Sequence, residues 1–205
     1  KGSFTMINIS QIVDQFSASG EMSIQAIQEI VRGAGDGSIP ESELSKFLLA
    51  VLAREKAGHQ LSDEQAGAYT EAMARSGLVF NWDDLDLPVA ARHTPGCVGD
   101  TQSGPVDAIL RACDIASINL TGRRLIHTPG TVERFCTIPG FNCSLSPDQV
   151  RSQMKSLGMV ITGQTPEIAP ADGRLYALRD KIGAVQCLVH ICASVMSKKI
   201  ASGPK

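Results

Sequence analysis

The sequence predicts an α/β protein in which a helical domain is combined with a partial α/β domain. Three observations along the chain predict this fold class. Residues 8–76 carry apolar side chains at the spacing of consecutive short helices. After Gly77, Asp, Pro and Gly become frequent and β-branched residues come in short bursts. The segment from about Leu178 to Ala201 then has a helical pattern again.

These changes set the expected domain boundaries. We expect a helical domain at residues 6–77, which residues 171–203 rejoin, and a partial α/β domain at residues 78–170. Residues 1–5 are interpreted as an expression scar in front of Met6. A chain of 205 residues is long enough for one substantial domain or two small ones, so its length permits this division.

The predicted helical domain holds four helices in order. The first follows from apolar residues at helical spacing: Ile9, Ile12, Val13 and Phe16. The second begins at the N-cap residue Ser23 and is predicted to end at Gly33. The third follows Pro40 and has an apolar stripe made of Leu44, Phe47, Leu48, Val51 and Leu52. The fourth opens with the capping-box pair Ser62 and Gln65, and Gly77 is predicted to end it.

The predicted α/β domain has two strands and one helix that local signals mark. Leu87–Val89 is a short strand, and its central proline confines it to a sheet edge or a strand start. Residues 159–162 are a buried strand. The helix before that strand is marked by an N-cap, a first-turn proline, a capping-box glutamine and a terminating glycine: Ser146, Pro147, Gln149 and Gly158.

The predicted last helix carries a polar row. His190, Ser194 and Lys198 stand four residues apart, so they share one helix face. A solvated surface is the favoured interpretation of such a row when no other information is considered. A binding site is the alternative.

Composition excludes several classes of protein. Nineteen Lys and Arg residues against 21 Asp and Glu residues give a net charge of −2, which disfavours a nucleic-acid or anionic-membrane binder. No apolar run is long enough to span a bilayer and no signal-peptide pattern is present, so we expect a cytoplasmic protein. The six cysteines form no C-x-x-C pair, which argues against a zinc site. We expect most of them to be reduced, small core residues.

Two segments have the composition of anion-binding loops. Residues 92–100 combine a cation, a hydroxyl and glycines after a predicted strand. Residues 121–131 place hydroxyls beside the arginine pair Arg123 and Arg124. Each signal is weak alone, because ordinary loops and solvated arginine pairs have the same composition. The spacing matches neither a Walker A loop nor a dinucleotide-binding fingerprint.

Eight ordered motifs carry a family resemblance. They are Leu61-Ser62-Asp63-Glu64-Gln65, Arg92-His93-Thr94 with Val98-Gly99-Asp100, Gly122-Arg123 with His127-Thr128 and Gly130-Thr131, Ile138-Pro139-Gly140-Phe141-Asn142, Gly163-Gln164-Thr165, Ala169-Pro170-Ala171-Asp172, Tyr176-Ala177-Leu178-Arg179-Asp180, and Ala193-Ser194-Val195-Met196-Ser197-Lys198-Lys199. From about Met6 to Gly203 the chain resembles the thymidine phosphorylase and pyrimidine-nucleoside phosphorylase family. The resemblance implies a nucleoside phosphorylase-like fold. In that fold the helical domain grips the base, the α/β domain holds phosphate, and the site lies in the cleft between them.

The resemblance also implies roles for individual residues. His93 is the expected catalytic residue beside the base. The expected pyrimidine-binding residues are Arg179, Ser194 and Lys198. The expected phosphate-binding residues are Arg92, Thr94, Ser103, Thr121 and Thr131. His127 is interpreted as structural. Inorganic phosphate is the implied co-substrate, with no other cofactor and no metal, and a homodimer through the helical domain is implied.

The chain departs from the family pattern at the phosphate side and in length. Pro95 removes a backbone N–H, and Cys97 replaces a glycine. Arg124, Ile126 and Pro129 stand where the family prefers glycine. Family enzymes continue well beyond Gly203, so the chain is a fragment, is completed by a partner chain, or is a reduced homologue.

The implied function is that of a pyrimidine-nucleoside phosphorylase, which transfers a pentose from the base to phosphate. The alternative is a catalytically impaired member that binds nucleosides or another protein. Hydrolysis, with water in place of phosphate, is a third possibility.

Overall fold

A computed structural model describes residues 8–93, 101–122 and 129–204. In these residues helices and strands follow in the order α1 (Ile9–Ser19), α2 (Ile24–Asp36), α3 (Glu41–Lys56), α4 (Asp63–Ala74), β1 (Val89–Ala90), α5 (Ser103–Ala112), β2 (Ala116–Thr121), α6 (Thr131–Phe135), α7 (Pro147–Leu157), β3 (Met159–Gly163), α8 (Pro170–Lys181) and α9 (Leu188–Ala201). None of the helices in these residues is both long and apolar enough to cross a membrane.

Helices α2 and α4 begin at their predicted N-caps. The Ser23 hydroxyl accepts a hydrogen bond from the Ala26 amide, and Ser62 forms a complete capping box with Gln65. The prediction that Gly77 ends α4 is wrong, because this helix ends at Ala74 with Arg75 as its C-cap. The prediction that Gly33 ends α2 is wrong, because the helix continues to Asp36. A Cβ atom on Gly33 would lie 2.3 Å from Ile39 Cδ1, so this glycine makes room for packing and does not terminate the helix.

The strands form a parallel sheet in the order β1-β2-β3 among the described residues. β1 lies at an edge, as its proline predicts, and the Pro88 carbonyl accepts a hydrogen bond from the Ala116 amide at 2.9 Å. β3 pairs with β2 from Ser117–Met159 to Thr121–Gly163. Since the strands are parallel, their carboxyl ends meet at one edge of the sheet.

The helix before β3 has every predicted end signal. Ser146 and Gln149 form a reciprocal capping box at the start of α7, and Pro147 occupies the first turn. Gly158 takes a left-handed conformation at its end, with φ of 71°. This helix therefore delivers the chain directly into β3.

The predicted helix over residues 178–201 is instead part of two helices, α8 and α9, with a break at residues 182–187. The end of α8 has a local signal, since Gly183 follows its C-cap with φ of 71°. The start of α9 has a distant partner. The Glu55 carboxylate of α3 accepts hydrogen bonds from the amides of Leu188 at 2.8 Å and Val189 at 3.3 Å. It satisfies two of the orphan N–H groups that begin α9, and a helix starting there needs no continuity with α8.

The buried apolar side chains of the described residues form two clusters. The first draws on α1–α4, α8 and the start of α9. The second surrounds the sheet and α7, and it includes the stacked rings of Phe80 and Trp82. Helix α9 contributes Ala193 to the first cluster and Ala201 to the second, so one helix runs past both.

Candidate functional site

A cavity of about 1120 Å³ opens where the sheet meets α8. Thr121 and Gly163, the last residues of β2 and β3, lie on one side of it, and Tyr176 and Asp180 of α8 lie on the other. Ligands of parallel α/β sheets commonly bind outside the carboxyl ends of the strands. The cavity is therefore the natural centre of a candidate site.

Lys198 lies in a buried ionic network that joins α8 to α9. Its ammonium nitrogen is 2.7 Å from Asp172 Oδ2 and 2.9 Å from Ser194 Oγ, and it also donates to the Ser194 carbonyl oxygen. Lys198 is 4% exposed, Ser194 is 3% exposed and Asp172 is fully buried. Asp172 Oδ1 has no hydrogen-bond partner among the described residues. The network fixes the ammonium group and neutralises it with one carboxylate.

Arg179 ties the end of α8 to the start of α9. Its guanidinium donates to the carbonyl oxygens of His190 at 3.0 Å and Val185 at 3.2 Å. Its Cζ atom lies 5.4 Å from the centre of the Tyr176 ring, within cation–π range. The Nε–H group is buried and has no partner among the described residues. It is an unused donor. The described lining of the cavity includes the neighbouring residues Tyr176 and Asp180 but not Arg179, Ser194 or Lys198.

The polar row on α9 is buried, so the solvated-surface interpretation is wrong. His190, Ser194 and Lys198 are each 4% exposed or less. Arg179 reaches this row one turn before Ser194, through the His190 carbonyl. The structure thus brings the predicted pyrimidine-binding residues to one side of α9.

His190 has a structural environment within this row. Its Nε2 atom lies 3.2 Å from the Leu48 carbonyl oxygen, so Nε2 carries a proton and donates it. The Tyr69 hydroxyl lies 3.2 Å from Nδ1, which is then the acceptor. Burial and the positive charge of Arg179 lower the pKa of His190 to about 4. The ring is therefore neutral at pH 7 and joins α3, α4 and α9.

The predicted phosphate-binding residues lie at strand ends and helix starts. Ser103 and Thr131 are the first residues of α5 and α6, and Thr121 is the last residue of β2. All three are buried. Thr94 lies outside the described residues. The arrangement gathers three hydroxyl groups near the carboxyl edge of the sheet.

Arg92 follows β1 at the same edge and pairs with Asp107 of α5. Arg92 Nε lies 3.2 Å from Asp107 Oδ1, and the carboxylate is fully buried. Burial raises the pKa of Asp107, although the Arg92 charge opposes that shift. His93, the next residue, is exposed.

The cysteines differ from their expected state. Cys136 and Cys143 are joined by a disulfide on the wall of the cavity, because the end of α6 and the chain before β3 bring their Cα atoms to 6.0 Å. Cys113 and Cys192 are exposed. Among the cysteines in the described ranges, Cys187 alone is a buried thiol of the expected kind.

Several residues of the candidate site are not predicted by the sequence. Asp172 and Lys199 stand inside matched motifs, and that position was their available signal. Asp107 lies between Val106 and Ala108 in an otherwise ordinary helix. Its partner is 15 residues away, so no local pattern marks it.

Comparison with curated proteins gives relatives that are named thymidine phosphorylase. No protein-family profile matches the chain. It is 38% identical to the thymidine phosphorylase of Burkholderia lata over 179 residues, which are 86% of this chain and 40% of that protein. The thymidine phosphorylase of Rhizobium meliloti is 37% identical over 86% of this chain, and that of Sinorhizobium fredii is 34% identical over 94%. The chain spans about two fifths of the length of these curated relatives.

A solved structure confirms the fold class. Anthranilate phosphoribosyltransferase from Thermus thermophilus superposes with a TM-score of 0.66 at 15% identity. The match covers 91% of this chain and 55% of that one. The α/β fold predicted from the sequence is therefore the observed fold.

Proposed function

The chain is a homologue of thymidine phosphorylases that matches about two fifths of their length, and from this we propose that it binds a pyrimidine nucleoside and transfers the pentose to phosphate. One observation carries the proposal beyond sequence similarity. Lys198 is hydrogen-bonded to Ser194, Arg179 is hydrogen-bonded to the His190 carbonyl of the same helix, and all three residues are buried and held in place, as a preorganised binding site requires.

The base side of the mechanism depends on fixed donors. Breaking the glycosidic bond leaves negative charge on the pyrimidine carbonyl oxygens, while the sugar becomes cation-like. Lys198 is oriented by Asp172, and Arg179 is oriented by two backbone carbonyls. The three N–H groups of Lys198 already have acceptors in the chain, so Lys198 would act through its fixed positive charge. Fixed charges and donors need no reorientation, so they would stabilise the developing charge more than the neutral base. The spare Nε–H of Arg179 and the hydroxyl of Ser194 would contact the ring edge.

The anion side depends on a cation and hydroxyls. Arg92 would bind phosphate oxygens, with Ser103 at the start of α5 and Thr121 at the end of β2. Thr131 and Thr94 would supply further hydroxyls. His93 would donate a proton or a hydrogen bond to the departing base, since it directly follows Arg92 and is exposed to the solvent.

A second candidate is a catalytically impaired protein that binds a nucleoside or another protein. The observation that favours it is the burial of the three base-side residues, which are only 2–4% exposed. The hydrogen bonds described for Lys198 and Arg179 all go to side chains and carbonyl groups of this chain. A network of this kind also serves stability alone.

Base release from thymidine and uridine, followed by chromatography with and without inorganic phosphate, tests the proposal. Phosphate-dependent release is the expected result. Arg179→Ala should lower the rate by about 100-fold or more, because an electrostatic donor is removed from the transition state. Arg75→Ala is the matched control, since Arg75 is an exposed arginine that pairs with Glu71.

The other outcomes separate the alternatives. Saturable nucleoside binding by folded protein without base release would establish the second candidate. Release that does not depend on phosphate would indicate hydrolysis. Neither base release nor nucleoside binding would overturn the phosphorylase proposal and the nucleoside-binding form of the second candidate, and only its protein-binding form would stand.

A further inference from the structure

Lys199 is a buried lysine that the proposed mechanism leaves unused. It directly follows Lys198 on α9 but faces the sheet. Its ammonium nitrogen lies 3.4 Å from Asn119 Oδ1 and 3.4 Å from the Leu120 carbonyl oxygen, both on β2. The residue is 8% exposed. A cation in such a position needs a compensating anion or a change of protonation state.

The charged groups around Lys199 come from three elements. Lys198 lies on its own helix, Arg92 lies after β1, and Asp107 lies on α5. Arg92 and Asp107 pair through one nitrogen and one oxygen. Arg92 Nη2 and Asp107 Oδ2 are both buried and without a hydrogen-bond partner among the described residues. Asp107 is hydrogen-bonded to Arg92 and acts on Lys199 through its charge alone. Two cations therefore share the influence of one carboxylate, which leaves an excess of positive charge.

This excess lies next to the proposed phosphate side chains. Thr121 is two residues beyond Asn119 on β2, so the two side chains point to the same face of the sheet. Ser103 begins the helix that carries Asp107. Lys199 therefore contacts the face of β2 that also carries Thr121, one of the residues that are proposed to bind phosphate.

We propose that Lys199 is a positioning residue of the anion site, which shares Asp107 with Arg92 and so leaves the Arg92 guanidinium able to bind a dianion. The proposal rests on the proposed function, since it concerns the same phosphate site. Lys199 acts through Arg92 and Asp107 and through its positive charge. It does not need to touch the anion.

The protonation of Lys199 gives this role a measurable signature. Burial, the charge of Lys198 and the charge of Arg92 lower the pKa of Lys199 to about 8, and Asp107 opposes the shift. A bound dianion favours the protonated, charged form of Lys199. Anion binding is therefore accompanied by proton uptake at Lys199 when the pH is near or above its pKa. Anion affinity should then fall as the pH rises through about 8.

Inorganic sulfate is the suitable probe, because its charge is constant across this pH range whereas that of phosphate changes. Sulfate affinity would be measured by calorimetry at about pH 7 and about pH 9.5, on either side of the titration. For the unmodified chain we expect affinity to fall by about tenfold, the effect of one lost charge near a dianion. Lys199→Arg should reduce this fall to less than about threefold, because arginine stays charged. Lys199→Gln should bind weakly at both values.

Lys155→Gln is the control, because Lys155 is an exposed lysine paired with Asp84 and should leave the profile unchanged. If Lys199→Gln does not fold, the comparison of Lys199→Arg with the unmodified chain carries the test. A fall in sulfate affinity in both Lys199 variants that is as large as in the unmodified chain would overturn the inference while the proposed function stands. Absence of sulfate binding by the unmodified chain would overturn the phosphate site and this inference together. A parallel thymidine titration would still report on the base side.

Discussion

His190 is a single side chain that connects three helices. Its two ring nitrogens contact the Leu48 carbonyl of α3 and the Tyr69 hydroxyl of α4, while its backbone belongs to α9. The sequence places His190 on the polar row of α9, but it does not reveal the burial of that row. The reason is distance along the chain, since Tyr69 lies 121 residues away.

The buried, neutral state of His190 predicts a pH-dependent stability. Its folded-state pKa of about 4 lies below the unfolded value of about 6.5, so the unfolded chain binds more protons between these values. The stabilisation is present above about pH 6.5 and is lost as the pH falls toward 4. The slope approaches about 1.4 kcal/mol per pH unit in that window. Urea denaturation at several pH values measures it.

His190→Gln should flatten this slope, because glutamine does not titrate. His59→Gln should leave it unchanged, since His59 is exposed. Equal slopes in the unmodified chain and in His190→Gln would contradict a neutral, buried His190.

The end of α9 is anchored by residues that precede β1. The Trp82 indole donates a hydrogen bond to the Ser202 carbonyl oxygen at 2.7 Å, and the Phe80 amide donates to the Ala201 carbonyl at 2.9 Å. Gly203 follows with φ of 64°, and a Cβ atom there would lie 2.0 Å from the Phe80 carbonyl oxygen. Close backbone contact and positive φ both require glycine at this position.

Gly203→Ala should therefore destabilise the protein by at least about 3 kcal/mol, since it adds a backbone clash to the cost of the left-handed conformation. Gly183→Ala is the matched control. Gly183 has φ of 71°, but no atom lies within 4 Å of its added Cβ, so its cost should be only about 1–2 kcal/mol. Thermal unfolding distinguishes the two, and equal costs would refute the clash.

Helices whose ends are marked by contacts between neighbouring residues could be predicted from the sequence. Elements whose ends depend on residues far away in the sequence could not. Ser62 with Gln65 and Ser146 with Gln149 mark helix starts through contacts three residues apart. β2 was missed although its apolar and polar residues alternate as they do in a strand with one apolar face. Its polar face is also buried, and Lys199 of α9 contacts Asn119 there, which the sequence does not reveal. The start of α9 was missed because Glu55, 133 residues earlier, caps it.

The two apolar clusters form the larger division of the molecule. We propose that they correspond to the helical domain and the partial α/β domain expected from the sequence. Leu48 is fully buried in the first cluster, and Met154 is 1% exposed in the second. A substitution of Leu48 or of Met154 therefore weakens the packing of one cluster and leaves the residues of the other cluster unchanged.

Leu48→Ala and Met154→Ala should each cost about 2–5 kcal/mol by leaving a cavity. Hydrogen exchange followed by mass spectrometry should show lost protection mainly in α1–α4 and α8 for Leu48→Ala. For Met154→Ala the loss should concentrate in β2, β3 and α7. A uniform loss across the chain in both variants would show a single cooperative unit instead.

The site was predictable only where family motifs and the fold agree. The resemblance named Arg179, Ser194 and Lys198, which lie on α8 and α9 and are buried, and their role in binding a pyrimidine stays a prediction. It did not supply Asp172, Asp107 or Lys199 as partners. Buried charges that compensate one another are close in space but are often far apart in the sequence. The spacing of residues in one sequence therefore does not predict these partners.

Lys198 and Lys199 are neighbours in the chain, yet one contacts Asp172 and the other contacts β2. A one-residue insertion or deletion early in α9 would rotate both side chains by about 100° and would remove both cations from their places in a single event. A point substitution, in contrast, alters one and leaves the other. Point substitutions can therefore change the Lys198–Asp172 contact and the Lys199–β2 contact separately. A shift of the helix register would remove both contacts together.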